Sequence, residues 1–146
     1  DLARIQALPG AFSLYGRVSV QGTNDNLDSS EKYGTGGFLG VRAYPLGEAS
    51  GDRAWLTQLE LRWAAAEGQT LFAFTDASRA RSQARPWDED SAGSRRIAGS
   101  GIGVRSLLGA WRVESTLAWR TRGGPALAGL VRDLTAIALG TLNAAA

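Results

Sequence analysis

The sequence predicts an all-β chain whose antiparallel strands form a segment of a transmembrane β-barrel. Three observations carry this expectation. Two segments alternate apolar and polar residues with period two across a full strand length. Both carry Trp at each end. Short turns alternate along the chain with long polar loops, as they do at the two ends of an outer-membrane barrel.

The chain opens on "DLARIQALPG". This stretch has neither the basic start nor the apolar run of a signal peptide, and it does not begin with Met. It reads as a piece of a longer protein. No window approaches ~18 uninterrupted apolar residues, so no transmembrane helix is expected. A barrel, which crosses with short strands, is not excluded by that.

The first strand reads from "AFSLYGRVSVQ". Phe12, Leu14, Val18 and Val20 point outward; Ser13, Tyr15, Arg17, Ser19 and Gln21 point inward. Residues 22–53 follow as a long loop rich in Gly, Asp, Asn and Ser. A loop of about 30 residues without structure of its own points to a functional role.

The clearest strand is "AWLTQLELRW". Trp55, Thr57, Leu59, Leu61 and Trp63 share one face; Leu56, Gln58, Glu60 and Arg62 share the other. Residues 64–69 make a short turn into "QTLFAFTDAS", with Leu71 and Ala73 opposite Phe72, Phe74 and Asp76. Residues 79–95 read as a second long loop. In "RRIAGSGIGVRSLL", Gly99, Gly101 and Gly103 share one parity. Three glycines on one face make a poor strand unless something bulky approaches closely, and the long loop is the expected visitor.

"AWRVESTLAWR" repeats the earlier arrangement, with Trp111, Val113, Ser115, Leu117 and Trp119 on one face. Trp55 with Trp63, and Trp111 with Trp119, lie roughly 26 Å apart along a strand. A tilt of about 40° brings this near 20 Å, close to the spacing of the aromatic girdles of a membrane barrel. The other reading is a soluble β-sandwich binding module with Trp at its strand ends. Beyond residue 125, Leu127, Leu130, Val131, Leu134 and Ala138 fall at helical spacing, so residues 126–146 are expected as an amphipathic helix or as out-of-frame sequence.

Composition closes off several chemistries. The sequence contains no Cys and no His, which removes disulfides, thiolate metal sites, His-ligated metals and a Ser-His-Asp triad. Sixteen cations against fourteen anions leave a formal charge of +2, and only Lys32 is Lys. The Arg residues are scattered and alternate with Glu on the polar strand faces. That suits a water-filled lumen of mixed charge better than a phosphate track, so no nucleic-acid partner is expected. The carboxylates Asp88, Glu89 and Asp90 form a loop charge run expected to be solvated. No cofactor, metal or catalytic residue is assigned, and no enzymatic activity is expected.

The glycine-rich stretch "GTGGFLGVRAYPLGEASGD" lacks the Lys of a P-loop, and "GSGIGVR" opens no helix. That leaves Arg42. It is either a solvated loop cation or, if the loop folds back, a guanidinium paired with an acid of the polar strand faces, of which Asp76 is one.

At this point the residues resemble a known family. "LDSSEKYGTGGFLGVRAYPLGEASGDRAWLTQLELRW" resembles the signature region of two-partner-secretion outer-membrane transporters of the haemolysin-activator type (TpsB). The match runs through Ser29, Ser30, Glu31, Lys32, Gly36, Gly37, Val41, Arg42, Ala43, Tyr44, Pro45, Gly47, Glu48, Ala49, Ser50, Gly51, Asp52 and Trp55. "LFAFTDAS" resembles the family's F-x-D-x-G motif at Phe74 and Asp76, with Ser78 where glycine is usual. The resemblance covers residues 11 to about 125.

It implies a sixteen-stranded barrel preceded by periplasmic POTRA domains, of which this chain would supply about five strands in residues 1–125. The loop motif Val41, Arg42, Ala43, Tyr44, Pro45, Gly47 and Glu48 would fold into the lumen. Arg42 would pair with Asp76 on the barrel wall beside Phe74. Trp55, Trp63, Trp111 and Trp119 would form the membrane girdles against outer-membrane lipid. The implied partner is a large secreted exoprotein of haemolysin or adhesin type, exported across the bacterial outer membrane without nucleotide energy. No POTRA sequence is present, and "TLNAAA" replaces the usual aromatic end of the last strand. The chain alone is therefore not expected to be a working pore. The alternative within the superfamily is an assembly factor of the BamA or TamA type; "YPLGEASGD" favours the transporter.

Overall fold

A computed structural model describes residues 1–87 and 93–126 and the backbone of a final strand, residues 135–141. The period-two segments become long strands because alternation lets each strand bury one face and expose the other. In chain order these are β1 (Leu2–Ala7), β2 (Phe12–Gln21), β3 (Tyr33–Gly34), β4 (Ser50–Gly51), β5 (Arg53–Ala66), β6 (Gln69–Arg81), β7 (Ser94–Leu108), β8 (Trp111–Arg122) and β9 (Thr135–Thr141). Among the described residues there is no helix.

Seven of these strands form one open antiparallel sheet in the order β1-β2-β5-β6-β7-β8-β9. Each strand pairs with its sequence neighbour across short turns at one end and long loops at the other. The β2–β5 connection holds its own small ladder, β3 with β4, where Tyr33 faces Gly51. An open meander of this kind has two free edges, as a segment of a larger barrel would.

The two faces differ sharply. Ser19, Leu56, Gln58, Glu60, Phe72, Phe74, Asp76, Ser78 and Ile97 are buried on one side. Leu59, Leu61, Trp63, Leu71, Ile102 and Trp119 are exposed on the other. What buries the first face is the long loop: Val41, Arg42, Ala43 and Tyr44 lie against it.

Register decides whether the apolar faces of neighbouring strands coincide. Ala66 pairs with Gln69 across the β5–β6 turn, and a bulge then shifts the ladder so that Ala64 pairs with Thr70. Without that shift Asp76 would oppose outward-facing Leu59. With it, Asp76 opposes inward-facing Gln58, and both strands keep their faces in phase.

Three expectations change. The strand count exceeds five, because β1 was not anticipated and β9 was expected otherwise. Part of the expected helix, residues 135–141, is strand. Thr135, Ile137 and Leu139 alternate with Ala and Gly, and pairing with β8 satisfies an edge that a helix would leave open. The rest of the 126–146 expectation, residue 126 apart, lies outside the described residues, as do Asp88, Glu89 and Asp90. The second long loop is also shorter than expected: β6 runs to Arg81 and β7 starts at Ser94.

Candidate functional site

The loop reaches the sheet through a compact series of turns. Val41 N–H donates to Thr35 O at 2.7 Å, and Tyr44 N–H closes a turn on Val41 O at 3.0 Å. The next turn, Pro45 to Glu48, is closed by Glu48 N–H on Pro45 O and places Gly47 at φ 83°. That is the third position of a type II turn, where a positive φ selects glycine. These turns leave the side chains of Arg42, Tyr44 and Glu48 aimed at the wall.

Arg42 is the centre. Its Nε and Nη2 donate to the two oxygens of Asp76 at 2.8 and 2.7 Å, and its backbone N–H donates to Asp76 Oδ2 at 3.1 Å. Its remaining arm, Nη1, donates to Glu60 Oε1 at 2.5 Å. The guanidinium carbon lies 3.6 Å from the centroid of the Phe74 ring. Arg42 is 4 % exposed and Asp76 is fully buried. Burial alone would lower the Arg42 pKa, but Asp76 and Glu60 outweigh it and hold the guanidinium above its ordinary value. A buried charge is tolerable only with this density of pairing, and an arginine fork meeting a carboxylate side-on supplies it.

Glu60 is a junction. It also receives Arg62 Nη2 at 2.7 Å and Arg105 Nη1 at 3.1 Å, and Arg105 in turn bonds Glu114 at 2.7 Å. Arg105 sits over the Phe72 ring at 4.1 Å, as Arg42 sits over Phe74. Three guanidiniums therefore meet three carboxylates, and the local charge sums to zero.

The glycines of β7 explain how this fits. Gly103 and Gly101 lie directly across from Phe72 and Phe74. A Cβ at either would collide with the ring opposite. At Gly99 a Cβ would collide with Ala43. So only Gly99 makes room for the loop itself; the other two let the rings lie flat beneath the arginines.

Further contacts fasten the tip. Tyr44 Oη lies 2.8 Å from Arg122 O and 2.9 Å from Gly124 O, and burial pushes its pKa up. Glu48, 2 % exposed, pairs with Arg95. Gln58 donates to Gly40 O, and Ser78 to Thr35 Oγ1. Where the loop re-enters β5, Asp52 is fully buried. Burial would raise its pKa, but the Ala84 N–H at 2.8 Å and Lys32 Nζ at 3.3 Å prevail and hold it below the usual carboxylate range.

The structure thus brings Val41, Arg42, Ala43, Tyr44 and Glu48 together with Phe74 and Asp76; Pro45 and Gly47 form the turn between them. Trp55, Trp63, Trp111 and Trp119 stand on the opposite face, Trp63 stacked with Phe12 at 6.2 Å. Sequence reasoning did not single out Glu60, Arg105 or Arg95. Their signal was present as inward parity on the polar faces, but parity does not say which inward charges become neighbours. Among the described residues no group of acids, His or Cys is arranged to hold a metal.

Every hydrogen bond of Arg42 in this site runs between the loop and the sheet. The site holds a loop against a wall. The family model described as haemolysin secretion/activation protein ShlB/FhaC/HecB matches residues 3–106. No curated protein and no solved structure matches the chain.

Proposed function

The chain belongs to the haemolysin secretion/activation family ShlB/FhaC/HecB, and from that premise we propose that residues 1–125 are the gating segment of an outer-membrane translocator. The family serves two-partner secretion at the bacterial outer membrane. In this reading the translocator exports a large exoprotein of haemolysin or adhesin type. The long loop occupies the lumen at rest, and the Arg42–Asp76 pair is the lock that holds it.

One observation carries the reading: a loop arginine, 4 % exposed, gives every arm of its guanidinium to wall carboxylates. Such a contact is strong while paired, and unpaired it leaves a buried carboxylate, so it favours two discrete positions of the loop over a continuum. The exposed apolar face with Trp at both ends supports placement of the sheet in a bilayer.

The test is made in cells expressing the translocator with its exoprotein. Wild type should fractionate to the outer membrane as a heat-modifiable band and release the exoprotein to the medium. Arg42→Ala should keep the band and lose most of the secretion. A soluble monomer, or full secretion by Arg42→Ala, would sink the proposal.

A further inference from the structure

The outward face carries a second cluster that the lock does not use. Arg79 of β6 lies directly across from Arg96 of β7, and the next outward pair along the same hairpin region is Arg53 with Arg81. Like charges directly opposite one another on a sheet repel. Arg53 is compensated by Thr23 O and Asn24 Oδ1. Arg79 and Arg96 form no ion pair among the described residues.

A third arginine joins them through a backbone irregularity. By simple alternation Arg122 would follow Arg120 to the inward face. A bulge between Ala98 and Gly99 in the β7–β8 ladder pairs Gly99 with Arg120 but Ala98 with Arg122. Arg122 therefore shares the outward side of Ala98. Arg79, Arg96, Arg122 and Trp55 line one recess of about 410 Å³. No Asp or Glu among the described residues has outward parity on β5, β6, β7 or β8.

The position of this recess is specific. It lies at the long-loop end of the strands, beside Trp55 and just beyond Trp119, where the apolar belt ends. Arg79, Arg96 and Arg122, which form no ion pair among the described residues, stand above an aromatic girdle at the level of the lipid headgroups. We propose that Arg79, Arg96 and Arg122 bind the phosphates of an anionic lipid headgroup in the leaflet next to the long loops. Arginine suits this because its planar fork meets phosphate oxygens in pairs. A lipid bearing two phosphates would relieve the Arg79–Arg96 repulsion, while its acyl chains lie along the apolar face below. Arg122 also links the site to the lock, since its carbonyl faces the Tyr44 hydroxyl.

The inference rests on the membrane placement proposed above. It is tested with the protein reconstituted in neutral phosphatidylcholine vesicles and titrated with lipid A, its retention read by native mass spectrometry. The variant combines Arg79→Gln, Arg96→Gln and Arg122→Gln. The control combines Arg4→Gln, Arg85→Gln and Arg112→Gln, which removes equal charge elsewhere. The cluster variant should lose roughly fivefold in affinity per arginine, on the order of a hundredfold in all, and the control should keep wild-type binding. Equal loss in both variants would overturn the proposal, as would unchanged binding in the cluster variant. Inorganic phosphate competing as well as lipid A would overturn the assignment to a lipid. Heat-modifiable migration, scored in parallel, tells failure of the membrane placement from failure of the site.

Discussion

Arg42 and Asp76 meet through two parallel side-chain hydrogen bonds, with a third from the Arg42 backbone, in a site closed to solvent. They are 34 residues apart in sequence. A direct pair of this kind makes a non-additive prediction. Arg42→Ala and Asp76→Ala should each destabilise the docked loop by about 3–5 kcal/mol, since either leaves an orphaned buried charge. The double variant should cost little more than one single. Hydrogen exchange at residues 35–49 reads the docking, and additive losses would refute the direct pair.

Glu60 should matter less than Asp76. Glu60→Gln leaves Arg42 its fork on Asp76 and leaves Arg105 its bond to Glu114. The expected cost is one charged hydrogen bond, about 1.5–3 kcal/mol. Loop exchange rates should rank wild type slowest, Glu60→Gln intermediate and Asp76→Asn fastest. The reverse order for the two variants would contradict the geometry.

Gly99 is required for the approach of Ala43. Gly99→Ala should push the loop outward at a cost of about 1–3 kcal/mol. Gly34→Ala is the control, because a Cβ there meets nothing within 4 Å. Cross-linking efficiency between cysteines introduced at Thr35 of the loop and Ser78 of the wall, whose hydroxyls meet at 2.8 Å outside the Arg42–Asp76 pair, should fall in the Gly99 variant alone.

The tryptophans should report the two interfaces of one bilayer. Variants retaining a single Trp at 55, 63, 111 or 119 should each be quenched by lipids brominated near the headgroup. Bromines at the chain ends should quench them weakly. Strong central quenching of any of the four would break the girdle assignment.

Asp52 links pH to the closure of the loop. Its folded pKa lies below the ordinary carboxylate value, so its contribution is fully present above that value. It is lost as pH falls through the folded one. Protection of the Ala84 amide, corrected for intrinsic exchange, should therefore hold near neutrality and collapse in acid. Asp52→Asn should flatten the dependence; an unchanged acid collapse would assign it elsewhere.

The legibility of this chain divides along one line. Period two in "AWLTQLELRW" and "AWRVESTLAWR" suffices for strands, faces and Trp bands, because side-chain direction in a strand is a local property. The family's motif residues make the loop and the pair Arg42 and Asp76 candidates. Residues 135–141 were misjudged because a short apolar run fits helical spacing as well as strand spacing. What decided it was the unpaired edge of β8, which is not a local property.

Sequence alone thus determined that the chain is built of two-faced strands, that one face is apolar, and that a glycine-rich loop presents an arginine. The tertiary structure decided which charges meet. The bulge at Ala64/Ala66 brings Asp76 beside Gln58 and one step from Glu60, and the bulge at Ala98/Gly99 turns Arg122 outward. A one-residue shift reverses every side chain beyond it, so cross-strand partners depend on register, and register is fixed only when the strands pair.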